Sequence, residues 1–289
     1  MKQSSELVAL FRLIDDPDED VYHVVSNKIM DYGKRVIPNL ENLWENSISE
    51  ALQNRVEQLI HRLQFSDLVQ EFTEWMDSDE QNLITGAILA AKFQSPDIKP
   101  ALVLQKMEKL RKAIWLELNN NLTPLEQANV VTAILYKYYQ LKGEEVKYSK
   151  PNEFAINKVL ENKNGNAITN AIIYQSLCEM LEINARLINI PNQMLIAYYH
   201  TDFEVDLTIT TPQDQIMFYV DVISGNAYSQ KELDLYLKRE GYTHNMSFYK
   251  PMTHTDIIKI LLKEMSKCFF APAHTYKQDE LNELADMLY

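Results

Sequence analysis

The sequence predicts a mainly α, α+β protein: a helical N-terminal half, then a core built on one apolar helix and a small antiparallel sheet, then C-terminal helices. Two observations carry this. Apolar residues recur at three- and four-residue spacing from Leu7 to Leu141, the period of a buried helix face. Alternating runs rich in β-branched and aromatic residues appear only after Glu182.

In order, Leu7, Leu10, Phe11 and Ile14 mark a first helix, which Asp15-Asp16-Pro17-Asp18 breaks. Val21, Val24, Val25, Ile29 and Met30 form the stripe of a second, with Gly33 where a C-terminal cap belongs. Val36-Ile37-Pro38 restarts the helix with proline in its first turn. Further helices are expected over residues 66–76, 77–93 and 100–118. Thr123-Pro124-Leu125-Glu126 is a capping box that opens a helix through Leu141, stopped by Gly143. Residues 1 to about 150 are thus expected to be helical, apart from a short extended piece at 145–148, and a helix follows over 153–162. After an apolar helix over 167–182, strands are expected at 185–190, 193–200, 203–208 and 215–222, with every strand between Glu145 and Val222. Ser229-Gln230-Lys231-Glu232 is a second capping box, for a helix ending at Gly241. Two final helices, 255–270 and 277–288, are separated by Ala271-Pro272-Ala273.

Composition narrows the function classes. With 28 basic and 41 acidic residues the net charge is −13, and no basic block interrupts it, which argues against nucleic acid or an anionic membrane as partner. Cys178 and Cys268 lie inside apolar helical patterns and read as reduced core thiols of a cytoplasmic protein. No signal-peptide core opens the sequence and no apolar run is long enough to span a bilayer. None of the six histidines has metal-site spacing, and no glycine-rich loop precedes a helix, so neither metal nor cofactor is expected. Tyr136, Tyr138, Tyr139, Tyr198 and Tyr199 lack interleaved basic residues and read as core and rim.

Residues 5–62, with helix, Asp-Pro-Asp turn, helix and a basic-Val-Ile-Pro restart, resemble a HEAT-type repeat. The last two helices resemble a single tetratricopeptide-like hairpin. Between them, Asn152-Glu153-Phe154, Val159-Leu160-Glu161 with Gly165, Ile168-Thr169, Pro191-Asn192-Gln193-Met194-Leu195-Ile196 and Tyr219-Val220-Asp221 resemble the SirB-type transglutaminase-like family of bacteria. The chain then divides into a HEAT-like unit (1–65), a helical domain of that family (66–150), a transglutaminase-like core (151–241) and a helical hairpin (242–289). The resemblance implies a papain-like core with a nucleophile on the first turn of the buried helix, a histidine base on a strand, and a carboxylate that orients it. Those slots here hold Ala167, Gln193 and Asp221. Thr169 is the only hydroxyl on that first turn, and Cys178 lies too far up the helix, about 16 Å from Ala167. Gln193 is expected either to hydrogen-bond Asp221 or to face solvent, and Asp221 has a second reading as a turn residue. No catalytic residue is therefore expected. The chain reads as a non-catalytic transglutaminase-like protein that binds a protein or peptide, with free N–H groups at the helix start suited to an acidic side chain. The alternative is a cryptic hydrolase or acyltransferase with a non-standard site.

Overall fold

The structure, a computed structural model, describes residues 2–200, 212–243, 245–271 and 274–288. The expected strand at 203–208, the Pro272-Ala273 break and His244 lie outside the described residues. The chain forms two compact units, dividing between Glu74 and Trp75.

The first unit holds α1 (Lys2–Leu13), α2 (Glu19–Met30), a 3-10 turn at Gly33–Val36, α3 (Ile37–Asn46) and most of α4 (Glu50–Met76). Leu10, Ile14, Val25, Ile29, Leu40 and Leu59 meet in one core, each taken from a helical stripe. Asp18 caps α2 by accepting from the Asp20 amide at 2.9 Å. Arg55 of α4 donates to the carbonyls of Ile14 (2.9 Å) and Asp16 (2.6 Å), which fixes the turn between α1 and α2. Two expectations are corrected. Gly33, at φ 65°, opens the 3-10 turn while Asp31 caps α2. No helix break separates 62 from 66, because that stretch contains neither glycine nor proline and α4 runs through it for 27 residues.

The second unit begins with α5 (Leu83–Lys92), later than expected because Asn82 caps it, its side chain accepting from the Thr85 amide at 3.1 Å. Next come α6 (Pro100–Glu117) and α7 (Pro124–Thr132), the latter opening on the expected Thr123/Glu126 capping box and continuing as a π-helical turn, Ala133–Tyr138. β1 (Lys142–Glu144) pairs in parallel with β2 (Asn164–Asn166). This strand precedes the expected first strand position, so the first 150 residues are not wholly helical. Gly143 does more than stop a helix: a Cβ there would sit 2.7 Å from Asn170 Nδ2 and 3.0 Å from Ile223 Cα, so the bare backbone is what lets β1 approach the core. A 3-10 turn at Pro151–Phe154 and α8 (Ile156–Asn162) replace the single helix expected over 153–162.

At the centre stands α9 (Ala167–Met180), buried at every residue from Ile168 to Cys178, which only a helix covered on all sides can be. β3 (Ala185–Ile190), β4 (Gln193–Tyr199), β5 (Ile216–Asp221) and β6 (Ala227–Tyr228) form an antiparallel sheet in sequence order. β6 extends the sheet past the expected limit at Val222. Asn192, at φ 62°, makes the β3–β4 turn. One face of the sheet packs on α9, and the other on α10 (Gln230–Arg239) through Leu233 and Leu237. α10 opens on the expected Ser229/Glu232 capping box, and α11 (His254–Ser266) on a further one, Thr253/Asp256. α12 (Thr275–Met287) pairs with α11. No helix among the described residues is long and apolar enough to cross a membrane.

Candidate functional site

A groove of about 780 Å³ opens at the N-terminal end of α9. The structure brings all three predicted slots to it: Ala167 on the first turn of α9, Gln193 at the start of β4, and Asp221 at the end of β5. Val146, Ile168, Met194, Ile223 and Ile260 give it an apolar floor, and Glu145, Tyr148, Asp221 and Glu264 supply acidic and phenolic groups.

The end of α9 is already closed. Asn166 Oδ1 accepts from the amides of Ile168 and Thr169, each at 3.0 Å, so two of the N–H groups expected to be free for an acidic ligand are satisfied from within. Thr169 completes this capping box. Its hydroxyl, fully buried, receives the Asn166 amide at 3.2 Å and donates to the Glu153 carbonyl at 2.9 Å. The structure therefore places Thr169 in the cap and not in the groove.

Register decides what faces α9. Tyr198 of β4 shares a 2.8 Å hydrogen bond with Tyr174 of α9, so this face of β4 meets the helix. Alternation puts Met194 and Ile196 on the same side and turns Gln193, Leu195, Ala197 and Tyr199 the other way. Three of the latter indeed pack with Tyr219, Leu233, Leu237 and Tyr249. Asp221 pairs with Leu195 and shares its face, so Gln193 lies two residues beyond the position opposite Asp221. Both polar slots thus stand at the groove's rim, while the side chain that the pleat aims at the start of α9 is Met194. Gln193 is exposed and makes no hydrogen bond to Asp221. Asp221 instead accepts from the Ile223 amide (3.0 Å), the Ser224 amide (3.2 Å) and the Ser224 hydroxyl (2.6 Å), a turn role.

Other groups shape the groove electrostatically. Burial, aided by the Asp221 charge, raises the Tyr136 phenol, which stays protonated and donates to the Val222 carbonyl at 2.7 Å. Tyr148 donates to Glu264 at 2.8 Å, and that hydrogen bond, with burial, raises its pKa. Lys267 takes the other oxygen of Glu264 at 2.6 Å. Asn170 reaches from α9 to the Lys142 (3.4 Å) and Val222 (3.3 Å) carbonyls, tying β1 and the end of β5 to the helix beside the groove. Cys178 is fully buried near the Tyr198 hydroxyl (3.8 Å), and burial pushes its thiol up to about 12. Its place is in the packing of α9, and a thiol so raised holds little thiolate at neutral pH.

Sequence reasoning missed Glu145, Tyr148, Ile260 and Glu264, which come from segments flanking the core and carry no local signal. The Asn166 cap was readable, since Asn-x-x-Thr precedes an apolar helix. Among the described residues no group of three or more His, Cys, Asp or Glu side chains is placed to hold a metal ion.

A family model described as Transglutaminase-like superfamily matches residues 101–263, over half of the chain and all of the elements that line the groove up to Ile260. No curated protein matches the chain, and no solved structure does.

Proposed function

This chain belongs to the Transglutaminase-like superfamily, and from that premise we propose that its core is a non-catalytic descendant that binds a peptide segment of a protein partner in the groove at the start of α9. We place it nearest the SirB-type members, with a HEAT-like unit over about 1–65 and a helical hairpin after 242. One observation carries the reading: Ala167 occupies the groove where a nucleophile would stand, and the neighbouring hydroxyl, Thr169, is sealed in the helix cap. Alanine has no lone pair to attack with, and glutamine is not a base at neutral pH. Methionine faces the helix where a base would have to point. What persists is a concave apolar floor edged by carboxylates, with the amides of Ile168 and Thr169 already taken. That combination suits a segment with apolar side chains flanked by basic ones better than an acidic one.

The test is selection of peptides from a random displayed library on the whole chain, in parallel with an Ala167→Trp variant that fills the groove. Peptides combining apolar and basic residues should be enriched on the natural sequence and not on the variant. Treatment with thiol- and hydroxyl-directed acylating probes should leave the natural sequence unlabelled. Stoichiometric labelling lost on Asp221→Ala would instead favour a hydrolase or acyltransferase with a non-standard site. Equal enrichment on both proteins would remove the groove from the proposal.

A further inference from the structure

A second cavity, of about 550 Å³, opens along another stretch of α9, with Ser176, Glu179 and Met180 in its wall. Ser176 lies nine residues beyond Ala167, about 14 Å up the helix, so this cavity is separate from the groove. An account of its hydrogen bonds shows what it lacks.

The Ser176 hydroxyl is buried and has no partner, although the residue is only 4% exposed. One helical turn on, Glu179 receives two donors, His254 Nε2 and Gln175 Nε2, both at 2.7 Å and both on Oε1. Its Oε2 takes none. His254 sits with its other nitrogen, Nδ1, 2.7 Å from the Gln81 carbonyl. A carboxylate and a carbonyl only accept, so both ring nitrogens donate and the imidazole is held as a cation. The other donors are spent as well: the Gln81 amide on the Met76 and Ser78 carbonyls (3.0 and 3.5 Å), and the Thr85 hydroxyl on Asn82 Oδ1 (3.2 Å). Apart from the exposed Asn82 amide and the Ser176 hydroxyl, which can both donate and accept, the free polar groups of the cavity are therefore carboxylate oxygens: Glu179 Oε2 and the carboxylate of Glu80. Ser176 and Glu179, three residues apart, project from one face of α9. Two carboxylates in the lining stand against one imidazolium, with Arg186 acting on the Glu179–His254 pair from outside it. Ile84, Leu104, Met107 and Met180 supply apolar walls.

We propose that this cavity binds a small organic cation: a primary ammonium group held by Glu179 Oε2 and Ser176 Oγ, on a short apolar stem lodged between Leu104, Met107 and Ile84. A buried hydroxyl without a partner and a carboxylate oxygen that takes no donor, on two residues that line the same cavity, are satisfied together by a donor-rich, positively charged head. An anion finds no free cationic donor there, because both nitrogens of His254 are taken.

Saturation-transfer NMR and calorimetry on the whole chain test this with three probes of one shape: hexylammonium, hexanol and hexanoate. Hexylammonium should bind in the millimolar range and hexanoate should not, with hexanol in between at best. Glu179→Gln keeps the shape and should weaken hexylammonium at least about tenfold, the loss expected when a charged partner is removed. Leu104→Trp changes a half-exposed wall residue, leaves every polar group in place, and should weaken all binding by filling the cavity. Ala167→Trp, in the other groove, should leave it unchanged. Indifference of hexylammonium binding to both Glu179→Gln and Leu104→Trp would overturn the proposal, as would equal binding of the three probes or no binding of hexylammonium at all.

Discussion

Replacing Asn166 by alanine isolates the device that closes the start of α9. The side chain is fully buried, and its Oδ1 serves two donors, the amides of Ile168 and Thr169, each at 3.0 Å. Loss of an N-cap costs about 0.5–2 kcal/mol, toward the upper end where the helix start is buried. That figure already contains the two amides left without their side-chain acceptor. Against this, Asn166 Nδ2 has no partner, and its removal returns about 1 kcal/mol. The net destabilisation is about 1 kcal/mol. Serine keeps a capping oxygen within reach of the same amides, so Asn166→Ser should recover at least half of it. Urea unfolding followed by circular dichroism measures the loss, and hydrogen exchange resolved at the start of α9 locates it, with the amides of Ile168 and Thr169 losing protection in Asn166→Ala. A change below about 0.5 kcal/mol, within ordinary surface-substitution scatter, with protection of those two amides intact, would refute the reasoning. The helix would then be held by packing alone.

Three further outcomes follow from the same structure. Burial works to lower the pKa of His254, but its bond to Glu179 outweighs this and lifts it above the ordinary 6.5, while His254 holds Glu179 below 4.5 against the opposing effect of burial. The His254 contribution to stability is therefore complete below about pH 6.5 and lost as pH rises through the elevated value, and that of Glu179 is lost as pH falls through its lowered value. An NMR titration of the His254 ring should give a midpoint above 6.5 that drops in Glu179→Gln, and a midpoint at or below 6.5 would contradict the doubly donating ring. Cys178, with its thiol near 12, should resist iodoacetamide until the chain is unfolded, and rapid modification in the native state would show that α9 opens. Gly165→Ala should destabilise by about 1–3 kcal/mol through overpacking, since a Cβ there meets Asn170 Oδ1, Val159 Cγ1 (2.9 Å) and Thr169 Oγ1 (3.0 Å), and melting temperatures compared with a Gly241→Ala control would show it. A Cβ at Gly241 meets nothing within 4 Å, so the control carries only the strain of its φ of +79°.

The sequence by itself determined the elements whose causes are local. The capping boxes at Thr123/Glu126 and Ser229/Glu232 start helices where their side chains can reach the third amide on. The runs at 185–190, 193–199 and 216–221 are strands whose register cannot slip, because side chains on both faces of the sheet are packed into distinct cores. That the side chain of Ala167 carries no lone pair is likewise a fact of the sequence, and no folding can supply one. Only the tertiary structure decided which of these residues face one another. β1 was illegible because three residues around Gly143 form a strand solely by pairing with Asn164–Asn166, a partner distant in the chain. Gln193 and Asp221 looked equivalent to residues that face the helix, and the cross-strand register turns both away from it, since one residue's difference exchanges the two faces of a sheet. Glu145, Tyr148 and Glu264 reach the groove from separate segments, and Ser176 and Glu179 are left with open hydrogen-bonding capacity only once His254 and Gln81 have spent theirs. Hydrogen-bond satisfaction is a property of the whole packed assembly, so which polar groups are left open to a ligand is settled only when every donor and acceptor around them has been placed.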